Sequence, residues 1–171
     1  MTIEAPEWRV DRWFNTDGAL DVHDFRGRVV VLHAFQMLCP GCVLHGIPQA
    51  QRIAEHFDRR DVAVIGLHTV FEHHAAMGEV ALEAFLHEYR VRFPVGVDRP
   101  GEGSPIPQTM RAYEMRGTPS LVVIDRGGHV RAHLFGRPSD LQVGAEVQRW
   151  VDEAAPSAVC DSEGCAIPAN R

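Results

Sequence analysis

The sequence predicts an α/β domain, a central mixed β-sheet flanked by helices on both faces. Three observations carry this expectation. Arg28 to Phe35 and Asp61 to Val70 are almost continuously apolar and rich in β-branched residues, the pattern of strands buried on both faces. Each is followed by a stretch of helical spacing, so strand and helix alternate, which implies parallel strands joined by right-handed crossovers. Farther on, Ser120 to Asp125 and His129 to Phe135 flank Arg126-Gly127-Gly128, a hairpin signal that adds antiparallel strands to the sheet.

The elements follow in chain order. The first apolar run is the expected central strand. After it Val43, Leu44, Ile47, Ile53, Ala54 and Phe57 recur at roughly helical spacing, with Glu55, Asp58 and Arg59 between them. The second apolar run precedes a helix near Glu79 to Tyr89, in which Val80, Ala84, Phe85 and Tyr89 repeat. Arg92 to Asp98 reads as a short strand, and Asp98 to Pro107 as a polar loop rich in Gly and Pro. Gln108 to Met115 can form a short helix before the hairpin. A closing helix from about Ser139 to Ala154 presents Leu141, Val143, Val147, Trp150 and Val151. The expected organisation is one domain over 1–155 and a flexible tail over 156–171 that carries a second cysteine pair, Cys160 and Cys165.

Composition limits the function classes. A chain of 171 residues with 45% hydrophobic residues can bury a core without disulfide staples. Its net charge of −6 offers no basic footprint for a nucleic acid. No apolar run approaches the roughly 18 residues of a membrane span. The first residues, Met1-Thr2-Ile3-Glu4-Ala5-Pro6-Glu7, lack the charged and apolar regions of a secretory signal. The expectation is a cytoplasmic chain without a membrane span, or a periplasmic one if a leader has been removed.

The chemistry centres on Cys39-Pro40-Gly41-Cys42. Cys39 falls just after a buried strand, at the first turn of a helix, where free N–H groups and the positive end of the dipole stabilise a thiolate. That makes Cys39 the nucleophile. Cys42, one turn later on the same face, is the resolving thiol that closes a disulfide after attack. A zinc site would need a second ligand pair, so no metal is assigned, and dithiol exchange requires no cofactor because the sulfurs carry the electrons.

The order of elements and Phe35-Gln36-Met37-Leu38-Cys39-Pro40-Gly41-Cys42 resemble the thioredoxin superfamily, especially its TlpA-like redoxin branch, which is related to the AhpC/TSA peroxiredoxins. Pro48 matches the kink-forming proline of the family's first active-site helix. Gly117-Thr118-Pro119-Ser120 resembles the loop whose proline is cis and faces the disulfide. The resemblance runs from about Glu7 to Ala154. It implies a thioredoxin-like fold and a thiol-disulfide oxidoreductase acting on a protein disulfide or dithiol, with an upstream reductase or oxidant. It further implies that Pro40, Gly41, Thr118 and Pro119 contact the substrate, with Thr118 offering backbone groups.

Departures from the family pattern surround the motif. Leu38 stands where relatives commonly carry Trp, His33 where thioredoxins bury an Asp, and His45 where TlpA-like proteins often carry Glu. Either His45 or His33 is therefore expected to deprotonate Cys42 during resolution, since an ordinary histidine titrates at about 6.5. The alternative is a core role for His33 and a solvated one for His45. His68-Thr69-Val70-Phe71-Glu72-His73-His74 closes the second strand, where α/β proteins place ligands, and is expected to border the active-site face.

Two other functions compete. In a peroxiredoxin-like peroxidase the attacking cysteine belongs to a Pro-x-x-x-Thr/Ser-x-x-Cys pattern; aligned on Cys42, Phe35 replaces the proline and Cys39 the hydroxyl residue. A non-cycling binding module would have no use for paired thiols at a helix start. Cys160 and Cys165 lie outside the matched region and offer either a second dithiol that relays electrons to Cys39 and Cys42 or an idle local pair.

Overall fold

The computed structural model describes residues 3–153 and the backbone of 159–161 and 164–166. Its main sheet contains β1 (Ile3–Glu4), β2 (Val10–Phe14), β3 (Val29–Phe35), β4 (Val62–His68), β5 (Val95–Asp98), β6 (Ser120–Ile124) and β7 (His129–Phe135). The helices are α1 (Ile47–His56), α2 (Glu79–Glu88), α3 (Gln108–Ala112) and α4 (Asp140–Asp152). In space the strands run β1-β7-β6-β3-β4-β5-β2. The first apolar run is thus the middle strand, parallel to β4 on one side and antiparallel to β6 on the other. Every residue of β3 and β4 is buried, because helices cover both faces of the sheet.

Alternation along β3 divides the core. Val29, Val31 and Phe35 face α1, α2 and α4 with Ile47, Leu82, Val143, Val147 and Trp150. Val30, Leu32 and Ala34 face the opposite layer, built from α3 and the N-terminal segment through Met110, Tyr113, Trp8 and Phe25. His33 shares the parity of Val31 and Phe35, so it lies under α1.

Several expectations shift. The hairpin forms as read, with β6 and β7 antiparallel around a turn in which Gly128 has φ +79°. It is not the sheet edge, because β1 adds outside β7. At the other edge β2 pairs with β5. No strand was expected in this N-terminal segment. Its order comes from distant partners: Trp8 donates to the Tyr113 hydroxyl at 3.1 Å, and that hydroxyl donates to the Pro6 carbonyl at 2.8 Å. In α2 the buried pair is Leu82 and Leu86, whereas Val80 is 85% exposed and Tyr89 half in solvent. The apolar residues of α2 occupy two adjacent stripes, and the sheet selects one. Leu141 in α4 is likewise exposed.

Among the described residues, no helix is long and apolar enough to cross a membrane. The strands β8 (Val159–Asp161) and β9 (Gly164–Ala166) pair antiparallel with Cys160 opposite Cys165 in register. The side chains of these two cysteines, and with them the relay expectation, lie outside the described residues.

Candidate active site

The turn between β3 and the first active-site helix sets Cys39. Its N–H donates to the Gln36 carbonyl at 3.1 Å, and its own carbonyl accepts from Val43 at 3.1 Å, which starts the helix. Pro40 follows at a position where a missing N–H interrupts no helical bond. The Cys39 sulfur accepts the Cys42 N–H at 3.3 Å, and the Cys39 thiol donates to the Thr118 carbonyl at 3.6 Å. Cys39 is partly exposed while Cys42 is wholly buried, and both are free thiols. Burial, reinforced by the hydrogen bond with Cys39, pushes the Cys42 thiol up to about 12. The two sulfurs therefore differ: one is reachable, the other held back as a thiol.

Pro48 shapes the turn below them. It lacks an N–H, and its ring would strike the carbonyl four residues back in a regular α-helix. Cys42–Gly46 consequently takes the wider π form, in which Ile47 N–H reaches the Cys42 carbonyl. The Thr118–Pro119 peptide is cis, and Pro119 packs on the motif. A Cβ built on Gly41 would sit 3.3 Å from Pro119 Cδ. One on Gly46 would sit 2.6 Å from His33 Cε1 and 3.0 Å from Pro119 Cβ. The missing side chains at Gly41 and Gly46 let the helix, His33 and Pro119 close on one another.

The histidines separate. His33 is buried beneath Gly46, stacked parallel to Phe35 at 6.0 Å, with neither ring nitrogen hydrogen-bonded. Burial pulls it down to about 4, so it is a neutral imidazole at pH 7. His45 opens instead on a hollow with Gln49, Arg52, Arg137 and Asp140 that contains neither cysteine. The stretch 68–74 also divides. His68 is buried against Phe35 at 5.3 Å and lowered to about 4 by burial, whereas His73 and His74 are exposed. Burial of β4 on both faces encloses His68, and the loop beyond it leaves the others exposed. Among the described residues, no three His, Cys, Asp or Glu side chains converge to hold a metal ion.

A hollow of about 300 Å³ opens beside Cys39, lined among others by Leu38, Pro40, Phe71, Glu72 and Thr118. Sequence reasoning missed Gln36 as its organiser. This buried side chain accepts the Phe71 N–H at 3.2 Å and donates to Glu72 at 3.3 Å. Its adjacency to the motif was visible, but its partners lie 35 and 36 residues away.

Residues 2–133 match the AhpC/TSA family. The chain belongs to that family. Among solved structures it resembles the thioredoxin-like superfamily protein SPOA0173, at 57% identity and TM-score 0.88, over 90% of this chain and 99% of that one. It also resembles a thiol-disulfide isomerase from Corynebacterium glutamicum, at 47% identity and TM-score 0.83, over 88% and 98% of the two chains. A curated relative, thiol-disulfide oxidoreductase ResA of Bacillus thuringiensis subsp. konkukian, is 23% identical over 124 residues, which is 72% of this chain. The chain spans 64% of the length of that relative. The thioredoxin-like fold expected from the motifs is thus the fold of this family member.

Proposed function

We propose that the chain is a thiol-disulfide oxidoreductase that exchanges electrons with a protein disulfide or dithiol. The single observation that carries this is the asymmetry of the pair: Cys39 partly exposed at a helix start, Cys42 buried with its pKa raised to about 12. The names of the ResA and isomerase relatives support the same reading. In the reducing direction, Cys39 thiolate attacks one substrate sulfur, forming a mixed disulfide and releasing the other sulfur as a thiolate. Cys42 then loses its proton and attacks Cys39, which releases the second substrate thiolate and leaves the Cys39–Cys42 disulfide. Two electrons pass to the substrate, and an upstream dithiol restores the pair.

His33 is our candidate to receive the Cys42 proton. It is neutral, its ring nitrogens are free, and it lies under Gly46, four residues beyond Cys42. Burial opposes the transfer at both ends, raising the thiol and lowering the imidazole. Attraction between the thiolate and imidazolium that form together offsets part of that opposition. We give His45 no step, because the hollow it lines includes neither cysteine.

Family membership raises a peroxidase reading, in which Cys42 would meet the peroxide. Its complete burial and raised pKa work against that role. Insulin reduction coupled to dithiothreitol tests the proposal. The full chain should turn over insulin, Cys39→Ser should not, and reduced Cys42→Ser mixed with insulin in the absence of dithiothreitol should accumulate a covalent adduct visible by mass spectrometry. Activity retained by Cys39→Ser, or no adduct with Cys42→Ser, rejects the assignment. For His33, the lifetime of the mixed disulfide between pH 5 and 8 should lengthen in His33→Asn and remain unchanged in His45→Ala.

A further inference from the structure

We propose that the hollow beside Cys39 is a docking subsite for a lysine or arginine side chain flanking the reacting cysteine of a protein substrate, with Glu72 as its anchor. The inference rests on the exchange chemistry proposed above. The hollow borders both Cys39 and Thr118, so a chain that brings a sulfur to Cys39 lays a neighbouring side chain into it. Leu38, Phe71 and Met77 give it apolar walls, and Leu38 is 54% exposed. Glu72 supplies a carboxylate among these lining residues.

That carboxylate is held but not neutralised. Gln36, 1% exposed, spends its carbonyl on Phe71 N–H and its amide on Glu72, so the tether is uncharged. Among the described residues, Glu72 joins no ion pair. The other titratable side chains of the hollow are Cys39, at its reactive edge, and His73, which follows Glu72 on a left-handed residue, φ +50°. An apolar wall with an anion among its lining residues complements a long aliphatic stem ending in a cation. A glutamate in the same place would meet like charge, and a leucine would leave the carboxylate unused. The net charge of −6 steers in the same direction.

Three synthetic peptides test this, each carrying one cysteine as a mixed disulfide with 2-mercaptoethanol and flanked by lysine, leucine or glutamate. The readout is the ratio of kcat/KM values between peptides, with dithiothreitol regenerating the dithiol and its direct reaction with each peptide subtracted, measured with the full chain, Glu72→Gln and Glu72→Arg. A ratio taken within one variant is unaffected by that variant's folded fraction. The chain should prefer the lysine peptide over the glutamate peptide by about two- to fivefold, the scale of an exposed ion pair. The preference should shrink with added salt, approach one in Glu72→Gln and reverse in Glu72→Arg. Equal rates in the natural chain, faster leucine than lysine, or a ratio unchanged in Glu72→Arg each overturn the inference alone. Turnover of none of the peptides overturns the exchange function and the inference with it.

Discussion

Gly46 is the tightest point of the site. A methyl group there would stand 2.6 Å from His33 Cε1 and 2.9 Å from its Nε2, a ring that is buried and stacked on Phe35. Gly46→Ala should therefore destabilise the chain by about 1–3 kcal/mol, the usual scale of overpacking, although alanine favours helix more than glycine does. Urea denaturation measures it, and an unchanged midpoint would show that the helix can lift from His33 freely. At this scale the positions of Cys39, Cys42 and Pro119 at one site were legible because short motifs carry them. Gln36 and Glu72 were not, since a hydrogen bond across 36 residues leaves no local pattern.

At the scale of elements, the junction of β5 and α3 depends on one buried carboxylate that the sequence showed only as the residue where a short strand meets a loop. Asp98 accepts N–H bonds from Thr109 at 2.8 Å and Met110 at 2.9 Å, and the Thr69 hydroxyl donates to it at 2.9 Å. It thereby caps the first turn of α3 and ties it to the end of β4. Burial nonetheless raises its pKa, so desolvation outweighs the three donors. Asp98→Ala strands those donors without partners and should cost about 2–4 kcal/mol. Calorimetry should report a lower Tm; no change would mean that water replaces the carboxylate. The strands β3 and β4 were legible because burial on both faces writes a continuous apolar run. The strands β1 and β2 were not, being short, half-exposed and stabilised by pairing with segments far along the chain.

For the whole molecule, two buried imidazoles couple folding to acidity. His33 and His68 are each lowered from 6.5 to about 4 by burial. Lowered pKa values in the folded state mean that the unfolded chain takes up protons first. The stability is thus complete above pH 6.5 and is lost as the pH falls from 6.5 toward 4. At 1.36 kcal/mol per unit, each histidine contributes on the order of 3 kcal/mol to that loss. Denaturant midpoints at pH 7.5, 5.5 and 4.5 should fall accordingly, with a shallower decline in His68→Leu. A flat profile would mean that both rings accept protons in the folded chain.

By itself the sequence determined the α/β class, the central strands, the hairpin and the position of the Cys39–Cys42 pair. Each is written locally, in apolar runs, turn glycines and a Cys-x-x-Cys spacing. Tertiary structure alone decided which stripe of α2 is buried, which strands form the edges, and how the residues around the pair are distributed. His33, His45 and His68 are alike in sequence as histidines near the motif or at a strand end. Packing places His33 beneath Gly46, turns His45 to another hollow and buries His68 on Phe35. The reason is physical: side-chain identity sets what a group can do, but its solvation and neighbours come from segments that meet only when the sheet has closed.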